Sequence, residues 1–169
     1  MEKTNKMEET KETQESLQRK REQALQRLRK ERTEEALWDC VTAYQDFEFH
    51  TYSGLPYSYH MKYGRSGTYT KELWINRREK SKSLVWSSVR SAYQKVLELQ
   101  QESERPVVER PKALGDIRGI TYIYGIFYEF ALLEMPEKAK EKIGSIFDNQ
   151  YFNSSLQYSF CLGIFQCGK

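Results

Sequence analysis

The densest run of positive charge in the sequence lies between residues 77 and 82, where two arginines and two lysines surround a single glutamate. Guanidinium and ammonium groups neutralise phosphate, and serine hydroxyls add hydrogen-bond donors. Because a helix is predicted to follow this run, unpaired N–H groups at the helix start would supply further donors to an anion. Six side chains are candidates for binding nucleic acid or a partner: Arg77, Arg78, Lys80, Ser81, Lys82 and Arg90. The alternative interpretation is a solvated basic turn.

Aromatic residues precede the basic run and offer ring faces on which the bases of a single strand can stack. The candidates are Tyr57, Tyr59, Tyr63, Tyr69 and Trp74. Aromatic side chains at such spacing also pack in protein cores and interfaces. The sequence leaves both roles open for each of them.

Metal and cofactor sites are not expected. His50, His60 and Cys40 lack the paired spacing that structural zinc sites use. The sequence also contains no nucleophile elbow, Walker loop, dinucleotide fingerprint or kinase motif. We therefore expect a protein that is not an enzyme and that binds no cofactor.

A metal-dependent nuclease is a low-ranked alternative, because its carboxylates can be scattered along a sequence. Glu72, Asp116 and Glu129 are the candidates inside the predicted core region. Asp116 is better explained as the cap of a helix, and Glu72 as an exposed strand residue.

Composition restricts the compartment and the class of partner. The three cysteines are an odd number and widely spread, which is typical of reduced thiols rather than of a disulfide framework. No apolar run approaches the roughly 20 residues that span a bilayer, and the first residues are charged. We expect a cytoplasmic protein with no membrane partner. Its net charge of +3 does not by itself identify a nucleic-acid binder.

Residues 1–35 are expected to form a charged helical arm. Glu, Lys, Arg and Gln dominate this segment, which lacks Gly and Pro. Leu17, Ala24 and Leu28 give only a broken heptad seam, so a solvated or partner-dependent helix is favoured over a lasting coiled coil. The arm is expected to add little to the core and to run directly into the folded domain near Leu37.

Residues 36–136 are expected to form an α+β core domain. Alternating apolar residues at 47–51, 57–63 and 73–75, separated by glycine-containing turns, predict an antiparallel meander of three or four strands. Two main helices are expected to pack on it. The first covers Val85 to Leu99 with Ser81 or Ser83 as its cap, and the second covers Ile117 to about Met135 with Asp116 as its cap.

Residues 137–169 form the remaining segment. Residues 137–147 are predicted to be a short helix that buries Ala139, Ile143 and Phe147. Strict alternation of apolar residues between Leu156 and Ile164 predicts a final strand that pairs with the meander or with a partner.

Four stretches of the chain carry a resemblance to a known group of proteins: FHTYSGLPYSY at 49–59, ELWINRREKSKS at 72–83, KALG at 112–115 and YIYGIF at 122–127. Over about residues 37 to 135 the chain resembles a small-protein family carried on phages and plasmids of Gram-positive bacteria. A charged helical arm often precedes the domain in such proteins. Some small mobile-element proteins of comparable size are anti-CRISPR inhibitors of Cas9, and the resemblance implies a function of that kind.

The residues and the resemblance together predict a non-enzymatic binding protein of a mobile genetic element. Its expected partner is nucleic acid or a nucleoprotein such as an RNA-guided nuclease, engaged through the basic run and the arm. The alternative is a DNA-binding transcriptional regulator in which the helix that begins near Ser81 enters a groove. In that alternative the N-terminal helix makes the protein a homodimer.

Overall fold

The computed structural model describes residues 2–77 and 83–141, with side chains from residue 14 onward within those ranges. Two helices open the chain: α1 spans Glu2–Glu31 and α2 spans Glu34–Ala43. Four strands follow: β1 Phe49–His50, β2 Pro56–His60, β3 Glu72–Asn76 and β4 Ser83–Val85. The described part ends with α3 at Trp86–Leu99, a 3-10 helix at Pro111–Leu114, α4 at Ile120–Glu129 and helical residues 137–141.

The four strands form one antiparallel meander in the order β1-β2-β3-β4. This confirms the predicted α+β class, with a long charged N-terminal helix and a four-stranded meander. Alternation along the strands directs one set of side chains inward, as expected for a sheet with one covered face. Those residues are buried: Tyr57, Tyr59, Leu73, Ile75 and Leu84.

Helix α4 lies directly on β1, and the contact requires a glycine. A Cβ at Gly125 would come within 2.3 Å of the His50 carbonyl oxygen and 2.8 Å of the Tyr57 hydroxyl. The Tyr57 hydroxyl donates a 2.5 Å hydrogen bond to the Tyr122 carbonyl of α4. Gly125 therefore permits the close approach of α4 to the sheet.

Helix α2 is a further packing helix, which the sequence predicts only as the continuation of the charged arm into the domain near Leu37. It buries Ala36, Leu37, Cys40 and Val41, and the buried Tyr59 hydroxyl donates a 2.7 Å hydrogen bond to the Val41 carbonyl. The core therefore draws on the first two helices as well as on α3 and α4.

Helix boundaries differ from the prediction at the start of the chain. The charged helix does not run on to Leu37, because it ends at Glu31 and Arg32 takes a left-handed conformation with φ of 51°. Thr33 then caps α2 by accepting a hydrogen bond from the Ala36 N–H. The side-chain cap that starts α2 is the type of signal that terminates a preceding helix.

The start of α3 was predicted too early. Ser83 and Val85 belong to β4, and Val85 is 45% exposed rather than buried on a helical face. The helix begins at Trp86, and Val85 precedes it without a side-chain cap. Pairing of Leu84 with Leu73 in the sheet decides this segment, because a short apolar run suits a strand or a helix equally by pattern.

Helix α4 is shorter than predicted at both ends. It begins at Ile120 after Gly119, whose φ of 79° is left-handed, and Asp116 is 93% exposed and caps nothing. It ends at Glu129, after which Ala131 takes a φ of 56°. Ala139 is buried as predicted. The rest of the predicted short helix and the strand from Leu156 to Ile164 lie outside the described residues.

Candidate nucleic-acid interface

The basic run falls in the connection between β3 and β4. Residues 78–82, which include Arg78, Lys80, Ser81 and Lys82, lie outside the described residues. Arg77 is described, and its guanidinium Nη1 lies 3.4 Å from the Tyr122 hydroxyl at the surface of α4.

The prediction that the basic run lies beside the N-terminus of a helix is wrong. The chain passes from the connection into β4 and only then into α3. Glu72 pairs with Val85, and the Trp86 N–H donates a 2.9 Å bond to the Lys71 carbonyl at the other end of β3. Arg77 is five residues further along the strand than Glu72, or about 16 Å. The free N–H groups of α3 therefore do not face Arg77.

Arg90 belongs to a different cluster at the start of α3. Its Nη1 lies 4.0 Å from a carboxylate oxygen of Glu34, and the other oxygen accepts a 2.7 Å bond from Trp86 Nε1. The Trp38 and Trp86 rings meet edge to face at 4.8 Å, and the Lys71 ammonium lies 3.5 Å from the Trp38 ring centre. Arg90 thus helps to join α2 to α3 and is not brought together with Arg77.

The connection between β2 and β3, residues 62–71, is a basic hairpin that we call the finger. It contains Lys62, Arg65 and Lys71 and no acidic residue. Tyr63 and Tyr69 form an antiparallel bridge, and the Gly64 N–H donates a 2.8 Å bond to the Thr68 carbonyl. The finger is therefore an ordered extension of the sheet with three positive charges.

Two stacked tyrosines form one side of the finger. The rings of Tyr63 and Tyr69 lie 4.4 Å apart with an interplanar angle of 24°, and the Tyr63 hydroxyl donates a 3.0 Å bond to that of Tyr69. Donating this bond raises the pKa of Tyr63, and accepting it lowers the pKa of Tyr69. Tyr63 is 67% exposed, so the ring face turned away from Tyr69 is open to solvent.

The outward face of the sheet, opposite to the face on which strand alternation places Tyr63, carries a second aromatic and cationic contact. The Lys62 ammonium lies 3.4 Å from the Trp74 ring centre, a cation–π contact. On the same face, His60 and Asn76 are joined by a 2.9 Å hydrogen bond. Within the described residues, Trp74 Nε1 is buried without a hydrogen-bond partner. Trp74 thus presents a partly exposed ring, whereas its indole N–H is buried.

The structure divides the five aromatic candidates into two groups. Tyr57 and Tyr59 are core residues with hydroxyls bonded to backbone carbonyls, and burial raises the pKa of each well above its usual value. Tyr63, Tyr69 and Trp74 are accessible. The cations of the finger were not among the candidates chosen from the sequence, although ten residues with three positive charges and no acid were a visible signal.

The three carboxylates considered for a nuclease do not assemble. In the ranges that the structure describes, no group of three His, Cys, Asp or Glu side chains is placed to hold a metal ion. Asp116 only approaches Lys112, at 3.8 Å. Partial desolvation at the end of α4 raises the pKa of Glu129.

The cysteine and histidines considered for zinc have other surroundings. Cys40 is a buried free thiol in α2, and burial raises its pKa to about 12. His50 Nε2 lies 3.7 Å from the Glu48 carboxylate, while His60 is bonded to Asn76. A thiol with so high a pKa is a poor thiolate ligand at neutral pH.

In comparisons with family models, curated proteins and solved structures, no match to this chain was found. Among the helices described, none combines the length and apolar character needed to cross a bilayer. The function must therefore be inferred from the finger and its surroundings.

Proposed function

We propose that the protein is a non-enzymatic binder of single-stranded nucleic acid, which it engages through the finger and the outward face of β2 and β3. The observation that carries the proposal is the Tyr63–Tyr69 stack, which leaves Tyr63 67% exposed in a hairpin whose sequence contains Lys62, Arg65 and Lys71. A base that stacks on Tyr63 extends an existing aromatic stack, and the neighbouring cations meet the phosphates.

The energetics suit this kind of ligand. Base–aromatic stacking contributes about 1–3 kcal/mol per base, and every base has a π-face, so the site tolerates many sequences. Lys62 covers the Trp74 ring in the free protein. A second base that stacks on Trp74 displaces the ammonium, which is then free to pair with a phosphate.

The same surface suits single-stranded nucleic acid that is held in a nucleoprotein. The resemblance to phage and plasmid proteins points to an RNA-guided nuclease as the partner and to an anti-CRISPR role in the cytoplasm. Such an inhibitor needs no active site of its own, because occupation of a nucleic-acid surface is enough to block the partner.

The proposal is tested by fluorescence anisotropy with a labelled single-stranded oligonucleotide of about twelve nucleotides. Tyr63→Ala should weaken binding roughly 10-fold, because it removes a stacking contact worth about 1–3 kcal/mol. Tyr63→Phe keeps the ring and should bind like the wild type. Arg65→Gln should weaken binding and reduce its salt dependence.

Lys112→Gln provides the matched control, because it removes one exposed charge from the 3-10 helix, away from the finger. It should leave affinity unchanged within about twofold. Equal losses for Arg65→Gln and Lys112→Gln, or unchanged affinity in Tyr63→Ala, would show that the finger does not bind the strand.

A further inference from the structure

A groove of about 740 Å³ opens beside the finger, between α1 and the C-terminal end of α2. Six of its lining residues matter here: Leu17 and Lys20 from α1, Thr42 from α2, Gln45 and Asp46 from the following turn, and Tyr69 from the finger. Its volume lies within the range typical of small-ligand sites. Tyr69 forms one wall, and its ring stacks on the exposed Tyr63.

Several polar groups in the groove already have partners inside the protein. Arg21 donates to the carbonyls of Ala43 and Gln45 at 3.2 and 3.3 Å. Asp39 forms an ion pair with Arg27. The Gln45 side chain donates to the Thr42 carbonyl and accepts a hydrogen bond from the Met61 N–H. These residues build the walls and are not free to hold a ligand.

Other polar groups in the groove remain unused. Within the described residues, Thr42 Oγ1 is buried without a hydrogen-bond partner, and neither Lys20 nor Asp46 forms an ion pair. The Asp46 backbone is left-handed with φ of 58°, and its N–H is anchored to the Tyr59 carbonyl at 2.9 Å.

We propose that this groove receives a second nucleotide of the strand that stacks on Tyr63, and that Asp46 selects a base with an exocyclic amino group. This inference rests on the proposed function. A carboxylate only accepts hydrogen bonds at neutral pH, so it favours the amino groups of cytosine, adenine or guanine over the carbonyl of thymine. Lys20 meets the phosphate. Helix α1 thereby becomes part of the binding site.

The test compares labelled oligo(dC) with oligo(dT) of equal length at pH 7.5. Both are single-stranded pyrimidine polymers that offer similar stacking, so the main difference is the 4-amino group against a carbonyl. The wild type should prefer oligo(dC) by roughly 10-fold, the discrimination expected from one well-placed base contact.

Two variants locate the preference in the groove. Asp46→Asn keeps a residue that tolerates the left-handed backbone but adds an N–H₂ donor, so it should bind both polymers while losing most of the preference for oligo(dC). Lys20→Gln should weaken the binding of both polymers alike and reduce the slope of log affinity against log salt by about 0.7. Asp116→Asn, an exposed carboxylate on another surface, is the control and should retain the preference.

Three outcomes would overturn the inference. Equal binding of oligo(dC) and oligo(dT) by the wild type shows that the groove does not select an amino group. A preference that survives in Asp46→Asn places the selection elsewhere. Under either of these two outcomes, a loss of binding in Tyr63→Ala would show that the finger still binds the strand. Only the groove inference then fails. If the wild type binds neither polymer, the proposed function fails as well.

Discussion

At some positions with a left-handed backbone, this sequence has a residue other than glycine, the residue that adopts that conformation without strain. Ala131 follows α4 with φ of 56°, its N–H bonds the Tyr128 carbonyl, and the Leu132 N–H bonds the Phe127 carbonyl at 2.9 Å. This is the Schellman pattern of a helix C-terminus, in which glycine is the usual residue. An alanine there carries backbone strain that a glycine would not.

Ala131→Gly should therefore stabilise the protein by about 0.5–1 kcal/mol, the relief of left-handed strain less the greater entropy of glycine in the unfolded chain. Urea denaturation at constant m measures it. Gly119→Ala is the opposite case, because its added Cβ would lie 2.1 Å from a Leu84 methyl at φ of 79°. That variant should be destabilised, because alanine is strained at this left-handed φ and the Leu84 side chain must shift. A destabilised Ala131→Gly would contradict the account of strain.

The accessible aromatic residues show how far the sequence determines individual side chains. Period-two alternation places Tyr57, Tyr59, Met61 and Tyr63 on one face of the sheet, and the first three are indeed buried. Tyr63 continues the same alternation but lies beyond the end of β2 at His60 and is exposed. Alternation predicts the face of a strand, whereas the position of the covering helices decides where burial stops.

At the scale of elements, α1 and α2 form a helical hairpin whose contacts begin only part-way along α1. Leu28 is fully buried, and Ala24 and Leu25 pack partly against the core. The Arg21 guanidinium binds two carbonyls at the C-terminal end of α2 and lies 5.3 Å from the Tyr44 ring centre. The expectation that the arm adds little to the core is therefore wrong for residues 21–28.

Truncation should show where the arm becomes structural. Removal of residues 1–16 should leave the free energy of unfolding almost unchanged, since residues 14–20 are exposed. Removal of residues 1–30 also takes away Leu28 and Arg21, and loss of one buried leucine alone is worth about 2–5 kcal/mol. Thermal and urea melting of both proteins measures the difference.

Point variants provide the control for that truncation. Arg21→Ala should cost about 1–2 kcal/mol, because it removes two charge-assisted hydrogen bonds and a ring contact. Arg19 is exposed, and its only ion pair in the described part is a 3.7 Å contact with Glu15, so Arg19→Ala should change stability by less than about 0.5 kcal/mol. Equal effects of the two variants would mean that the hairpin contacts do not support the fold.

The boundaries of the elements followed from the sequence less well than their types. The first three strands of the meander and the bodies of α3 and α4 are predicted where they occur, because their periodicity extends over several residues. The start of α3 was missed since Ser83 resembles a cap while Leu84 is paired with Leu73 across the sheet. Here a long-range pairing overrides a local signal, and the order of residues alone does not reveal such a pairing. The division at residue 35 stays a prediction.

At the scale of the whole molecule, two basic regions lie at opposite ends of β3. The finger precedes the strand and the run that begins at Arg77 follows it, while Trp74 lies between them on the outward face. From Lys71 to Arg77 the strand covers about 20 Å. A strand of nucleic acid that lies along the outward face of β3 and crosses Trp74 would run from Lys71 toward Arg77. The proposed site is a track along the hairpin rather than one pocket.

This arrangement predicts that the finger contributes to the affinity for short and long strands, whereas the basic run contributes only to the affinity for long ones. Replacing Arg77, Arg78, Lys80 and Lys82 with Gln should weaken the binding of an oligonucleotide of about twelve nucleotides. The affinity for an oligonucleotide of about four nucleotides, which binds at the finger alone, should change little. For a single strand, every phosphate that is no longer neutralised should reduce the slope of log affinity against log salt by about 0.7. Tyr63→Ala should weaken the binding of both oligonucleotides, because it removes the stacking contact that they share. Anisotropy titrations at several salt concentrations measure all four combinations, and the melting temperature of the quadruple variant shows that it is folded. An unchanged salt slope for the longer strand would mean that the basic run is a solvated turn, and that the strand leaves the protein at Trp74 or turns into the groove beside α1.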